Sequence, residues 1–107
     1  MAHEHAQPGV VLDLNTFGGS TSTAVVKEKN FEVIRIVVEA GKPIPPHKVE
    51  GPITVQCLSG RCTFFVGEEP RELVSGSWLY LTGGTIHALE SEENAILLVS
   101  ILFNRTD

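Results

Sequence analysis

The chain predicts an all-β fold, a sandwich or a closed barrel, and three observations carry that prediction. From Val10 onward no apolar repeat of helical period is sustained. Short runs rich in Val, Ile, Leu and Phe take its place. Gly, Pro and Ser-Gly pairs separate those runs at the intervals expected of turns between short strands.

Residues 1–9 are polar and carry Pro8 and Gly9, so they read as a flexible N-terminal arm ahead of a single domain at 10–107. The arm's His3 and His5 flank Glu4, a triplet able to bind a transition metal, although terminal histidines lack the surrounding groups that fix a ligand. The same arm is able to pair with the sheet of a partner barrel. The first clear strand is FEVIRIVVEA, 31–40, ended by the turn residues Gly41, Pro43, Pro45 and Pro46. ITVQCL at 53–58, Ser59-Gly60 and RCTFFV at 61–66 then read as a hairpin with a two-residue loop. That register sets 58 against 61, 57 against 62, 55 against 64 and 53 against 66. A turn through Gly67 to Pro70 leads to RELV, SWLYL follows Gly76, and Gly83-Gly84 turns the chain into IHALE. The last run, AILLVSILF at 95–103, is apolar at nearly every position, so both of its faces should be covered. This implies a homodimer contact as well as a core.

A length of 107 residues allows one hydrophobic core and not two. Thirteen acidic against eight basic residues give a net charge of -5, which repels nucleic acid and anionic lipid in the absence of a basic patch. No stretch approaches the ~18 apolar residues of a membrane span, and the N-terminus lacks a leader's basic and apolar regions. The expected address is cytoplasmic. Cys57 and Cys62 are too few for a secreted disulfide framework and read as thiols, although the hairpin register places them face to face and leaves a disulfide open.

Residues 41–60 resemble the first motif of the cupin superfamily: Gly, five residues, His-x-His, three or four residues, Glu, six residues, Gly. Gly41, His47 and Gly60 fall on that spacing, while Val49 holds the second His position and Ile53 the Glu position. Residues 76–91 resemble the second motif: Gly, five residues, Pro-x-Gly, two residues, His, three residues, Asn. Gly76, Gly84 and His87 match, with Thr82 in place of Pro and Ser91 in place of Asn. The resemblance implies a cupin-type β-barrel (double-stranded β-helix, or jelly roll). It also implies a divalent transition metal (Zn, Fe, Mn or Ni) in the lumen, for which the chain retains two of four ligand positions, His47 and His87. A catalytic zinc normally has three protein ligands, and the common non-haem iron site takes two His and one carboxylate.

Glu50 is the one nearby carboxylate that a bend at Gly51-Pro52 would swing inward, a solvated loop position being the ordinary alternative. Cys57 lies four residues beyond Ile53, ~13 Å along a strand at ~3.3 Å per residue, too far to be a ligand. Parity makes Val49, Ile53 and Val55 the pocket wall beside the histidines, and the hairpin register adds Phe64 and Val66. Arg35, in an apolar strand, reads either as an anion-binding group in the lumen or as a pairing residue at an edge or interface. Trp78 and Tyr80 share a strand face and read as a site mouth or as core aromatics. Gln56 lies on the opposite face from Ile53 and has no expected site role. Three functions follow: a small-molecule or weak metal binder centred on His47 and His87, a metal-dependent oxygenase, isomerase or lyase on a small polar substrate, or a structural dimeric module.

Overall fold

The computed structural model describes residues 5–103. They form nine strands: β1 (Thr23–Lys27), β2 (Phe31–Val38), β3 (Ile44–His47), β4 (Ile53–Ser59), β5 (Arg61–Val66), β6 (Glu69–Val74), β7 (Trp78–Leu81), β8 (His87–Glu90) and β9 (Ala95–Leu102). All pairings are antiparallel. One sheet runs β1-β2-β9-β4-β7 and the other β3-β8-β5-β6. No helix among the described residues is long and apolar enough to cross a membrane.

Period-2 alternation decides what each strand buries. In β4 the buried positions are Ile53, Val55 and Cys57, and in β9 they are Ala95, Leu97 and Val99. Opposite them, across the space between the sheets, the four-stranded sheet contributes Cys62, Phe64, Leu73 and Leu89 to one continuous core. Phe64 is 1% exposed, so its truncation would leave a cavity worth about 3–5 kcal/mol.

The hairpin expected at 53–66 does not exist as a ladder. β4 bonds to β7 and β9, whereas β5 bonds to β6 and β8, so the chain leaves one sheet and enters the other at Ser59-Gly60. Gly60 makes the crossing with φ of 76°, and a Cβ there would collide with the Asn94 carbonyl oxygen. The expected pairs 57 with 62, 55 with 64 and 53 with 66 are therefore residues of facing sheets, not cross-strand neighbours. Cys57 and Cys62 are both buried and free.

Two strands lie where no strand was expected. β3 carries Pro45 and Pro46, which are tolerated because it is an edge strand and one side of its backbone needs no ladder partner. β1 is the opposite edge of the larger sheet, bulged between Ala24 and Val26. Ala6 of the arm donates its N–H to the Val25 carbonyl at 2.7 Å, so this part of the arm lies along its own barrel. His3 lies outside the described residues, and His5 is exposed.

Arg35 takes neither expected role. Its register partners place it on the outer face of the five-stranded sheet, away from the lumen. It is nonetheless 1% exposed, because the loop before β1 covers it. Nε donates to the Leu14 carbonyl at 2.6 Å, and the two terminal nitrogens donate to Gly19 at 2.8 Å and Asn15 at 3.0 Å. A planar, five-donor guanidinium suits this task of gathering the carbonyls of a loop that has no ladder of its own. Trp78 and Tyr80, on edge strand β7, are 58% and 62% exposed on that same outer face, with ring centroids 6.1 Å apart. They belong to neither the core nor the lumen.

Candidate functional site

His47 and His87 come together through strand pairing. β3 and β8 are ladder neighbours, and His47 and His87 are direct register partners, with a bulge between Ile44 and His47 turning the latter toward its partner. Their ring centroids lie 4.2 Å apart in an edge-on arrangement. On its other side His87 stacks on Phe64, with centroids 5.6 Å apart and planes 7° from parallel. His87 is 5% exposed, while His47 is open to solvent.

Both rings face one lumen cavity of about 180 Å³. Val49, Ile53, Val55 and Phe64 line it as sequence parity indicated. Val66 does not; it pairs with His87 in the β5–β8 ladder and packs at the edge of the core. The remaining wall is Ile34 and Ile36 from β2, Ile44 from β3, Leu89 from β8, and Val99 and Ile101 from β9. Sequence reasoning passed over these six, although the i, i+2 spacing of 34 with 36 and of 99 with 101 was the available signal. Among the described residues the only polar side chains in the lining are the two imidazoles. Because His47 both lines the cavity and is exposed, the cavity meets the surface beside its ring.

The hydrogen bonds fix the tautomers. Nδ1 of His47 lies 2.9 Å from the Pro45 carbonyl and Nδ1 of His87 3.0 Å from that of Thr85. A carbonyl oxygen only accepts, so in each case Nδ1–H is the donor and, in the neutral ring, Nε2 keeps a lone pair. Burial pushes His87 below the usual histidine range; the bond to Thr85 opposes this and the neighbouring His47 adds to it. The buried ring is thus neutral at neutral pH, an acceptor without a charge.

This donor set does not fit the metal that the fold resemblance implies. Val49 and Ile53 occupy the missing ligand positions as apolar wall, and Glu50 is exposed. Cys57 is not among the lining side chains. Among the described residues no three His, Cys, Asp or Glu side chains form a metal-sized group. Two imidazoles fall short of the three protein ligands of catalytic zinc and of the two-His, one-carboxylate iron site.

No protein-family model and no curated protein matches the chain. Solved structures do. A conserved protein of unknown function from Streptococcus pyogenes superposes with a TM-score of 0.82 at 20% identity, covering 99% of this chain and 97% of that one. A cupin superfamily protein from Desulfitobacterium hafniense gives 0.81 at 15% identity, covering 97% and 100%. A conserved protein with a double-stranded β-helix domain from Klebsiella pneumoniae gives 0.73 at 18%, covering 90% and 92%. Likeness at this level of identity carries architecture and not activity. With its two antiparallel sheets enclosing a histidine-bearing lumen, the chain has the double-stranded β-helix fold of the cupin superfamily.

Proposed function

We propose that this chain is a small-molecule-binding cupin domain whose lumen works without a resident metal. The observation that supports this most directly is the cavity itself: about 180 Å³, apolar on every side except for two adjacent imidazoles. An apolar cavity of about 150 Å³ in a protein core stays dry and takes up benzene, so this one has room for a compact molecule of similar or slightly larger size. Largely apolar walls with one or two placed polar groups are the usual composition of a ligand pocket. With both thiols free, the domain suits a reducing compartment such as the cytoplasm.

The test has two parts. Titrating toluene into isotopically labelled protein should shift the methyl resonances of Ile36, Val55 and Val99 and the ring resonances of Phe64 and leave the resonances of β6 in place. Protein purified without an affinity tag should contain far less than one equivalent of any transition metal by elemental analysis. Unshifted lumen resonances with toluene and with p-cresol alike would refute the binding role, and stoichiometric metal would refute the metal-free reading.

The chain is also proposed to form a homodimer through the outer face of its five-stranded sheet. Ladder partners place Trp78 with Gln56 and Leu98, and Tyr80 with Thr54 and Ser100, on one uncharged surface. In a chain of net charge -5, an uncharged face is where two copies meet with least repulsion. Sedimentation should give a dimer that Trp78→Glu with Tyr80→Glu converts to monomer. A monomeric parent would refute it.

A further inference from the structure

The tautomers of the two histidines restrict which molecules the cavity can hold, and this inference rests on the cavity being a binding site at all. Each ring spends its one N–H on a backbone carbonyl, Pro45 for His47 and Thr85 for His87. Neither Nε2 has a hydrogen-bond partner among the described residues, and no buried side-chain polar atom is left unsatisfied, so the His87 Nε2 is reached from the cavity rather than sealed in the wall. Among the described residues the lumen therefore offers hydrogen-bond acceptors and no side-chain donors, and no lysine or arginine lines it.

We infer that the ligand is a compact, uncharged, mostly apolar molecule carrying one hydroxyl group, a phenol or an alcohol, which donates its single proton to Nε2 of the buried His87, the exposed His47 at the mouth being left to solvent. A pure hydrocarbon would leave the His87 acceptor dehydrated and unpaired, which is unfavourable. A carboxylate would bring a negative charge against two lone pairs, with no cation in the wall and a net negative chain around it. An amine would enter the same apolar space as a cation, again with no counter-charge. A hydroxyl donor is the group that satisfies the buried His87 acceptor without burying charge.

Calorimetric or NMR titration of the whole chain at pH 7.5 with p-cresol, 4-methylanisole, toluene and 4-methylbenzoate tests this. Methylation of the oxygen removes the donor while making the molecule more apolar, so hydrophobicity alone ranks 4-methylanisole at or above p-cresol. The inference expects p-cresol to bind about 10- to 100-fold more tightly than 4-methylanisole or toluene, the range set by leaving a buried acceptor unpaired. It expects 4-methylbenzoate to be weakest. In His87→Phe, which keeps a flat ring against Phe64, p-cresol should fall to the level of 4-methylanisole while toluene binding persists. Equal affinities for p-cresol and 4-methylanisole in the unmodified chain, or tightest binding of 4-methylbenzoate, would overturn the inference and leave the binding role standing. Binding of none of the four would overturn both. The ligand series needs no variant, so poor folding of His87→Phe does not remove the test; His47→Gln then supplies the second variant, expected to leave p-cresol the tightest binder of the four.

Discussion

Replacing His87 by leucine should change how stability depends on pH more than it changes stability itself. The imidazole is 5% exposed against Phe64, and burial lowers its affinity for a proton. In the unfolded chain the same ring titrates near the ordinary histidine value, about 6.5. Below that pH the unfolded state binds a proton that the folded state resists, so the stabilising contribution is whole above pH ~6.5 and is lost as the pH falls toward the folded value. One such group sets a slope of at most about 1.4 kcal/mol per pH unit. For a domain of roughly this size, each kcal/mol moves the melting temperature by about 4–8 °C. At pH 7.5 the substitution loses the bond to Thr85, worth about 1 kcal/mol, and gains apolar burial of about the same size, so the two proteins should melt within a few degrees of each other. Between pH 7 and pH 5 the His87→Leu variant should melt progressively higher than the parent. The surface carboxylates are common to both chains and cancel in the difference. Thermal melts across this range by circular dichroism supply the measurement. Parallel curves would refute the reasoning, and a parent that gains on the variant at low pH would mean that His87 has an anionic partner which the lumen lacks.

Arg35→Ala should destabilise the chain by about 3 kcal/mol, because it strips three carbonyls of the 14–19 loop of a charged donor; denaturant unfolding would show this, and a change below ~1 kcal/mol would mean that water replaces the guanidinium freely. Gly60→Ala should cost about 2 kcal/mol or more, since it combines a positive φ with a collision against the Asn94 carbonyl; an unchanged midpoint would show that the crossing relaxes. Cys62, pushed up to about 11 by burial with Cys57 adding to the rise, should resist iodoacetamide at pH 8 in the native chain and react readily in denaturant. The raised value also means stability is whole below the ordinary thiol range and declines as pH rises through it toward 11. Native labelling at the unfolded rate would contradict both statements about Cys62.

Much of this was legible in the residues. Alternation in 53–58 and 61–66 identified Ile53, Val55, Cys57, Cys62 and Phe64 as inward, and the resemblance to the two cupin motifs singled out His47 and His87, two rings that strand pairing makes neighbours. Period 2 reports which face of a strand is buried and is silent on which sheet the strand joins, which is why the crossing at Gly60 looked like a hairpin loop. β3 was hidden by prolines that an edge strand accommodates. Arg35 was misread because its partners are backbone carbonyls of a preceding loop, and carbonyls leave no trace in sequence. Trp78 and Tyr80 are large and apolar, properties that an exposed outer face and a core share. The wall from β2 and β9 needed the sheet order, since only the pairing of β2 with β9 and of β9 with β4 brings those side chains over the histidines.

The central claim is that two imidazoles converge in the lumen with their Nδ1 protons spent on backbone carbonyls and the Nε2 of His87 free to accept. Long-range ¹H–¹⁵N correlation spectra of the histidine rings at pH 7.5, with nuclear Overhauser contacts between ring protons, test it directly. The account predicts Nδ1 protonated in His87, ring-to-ring contacts between His47 and His87 and from His87 to Phe64, and a shift of the His87 Nε2 resonance on addition of p-cresol. A proton on Nε2 of His87, or the absence of contacts between the two rings, would contradict it.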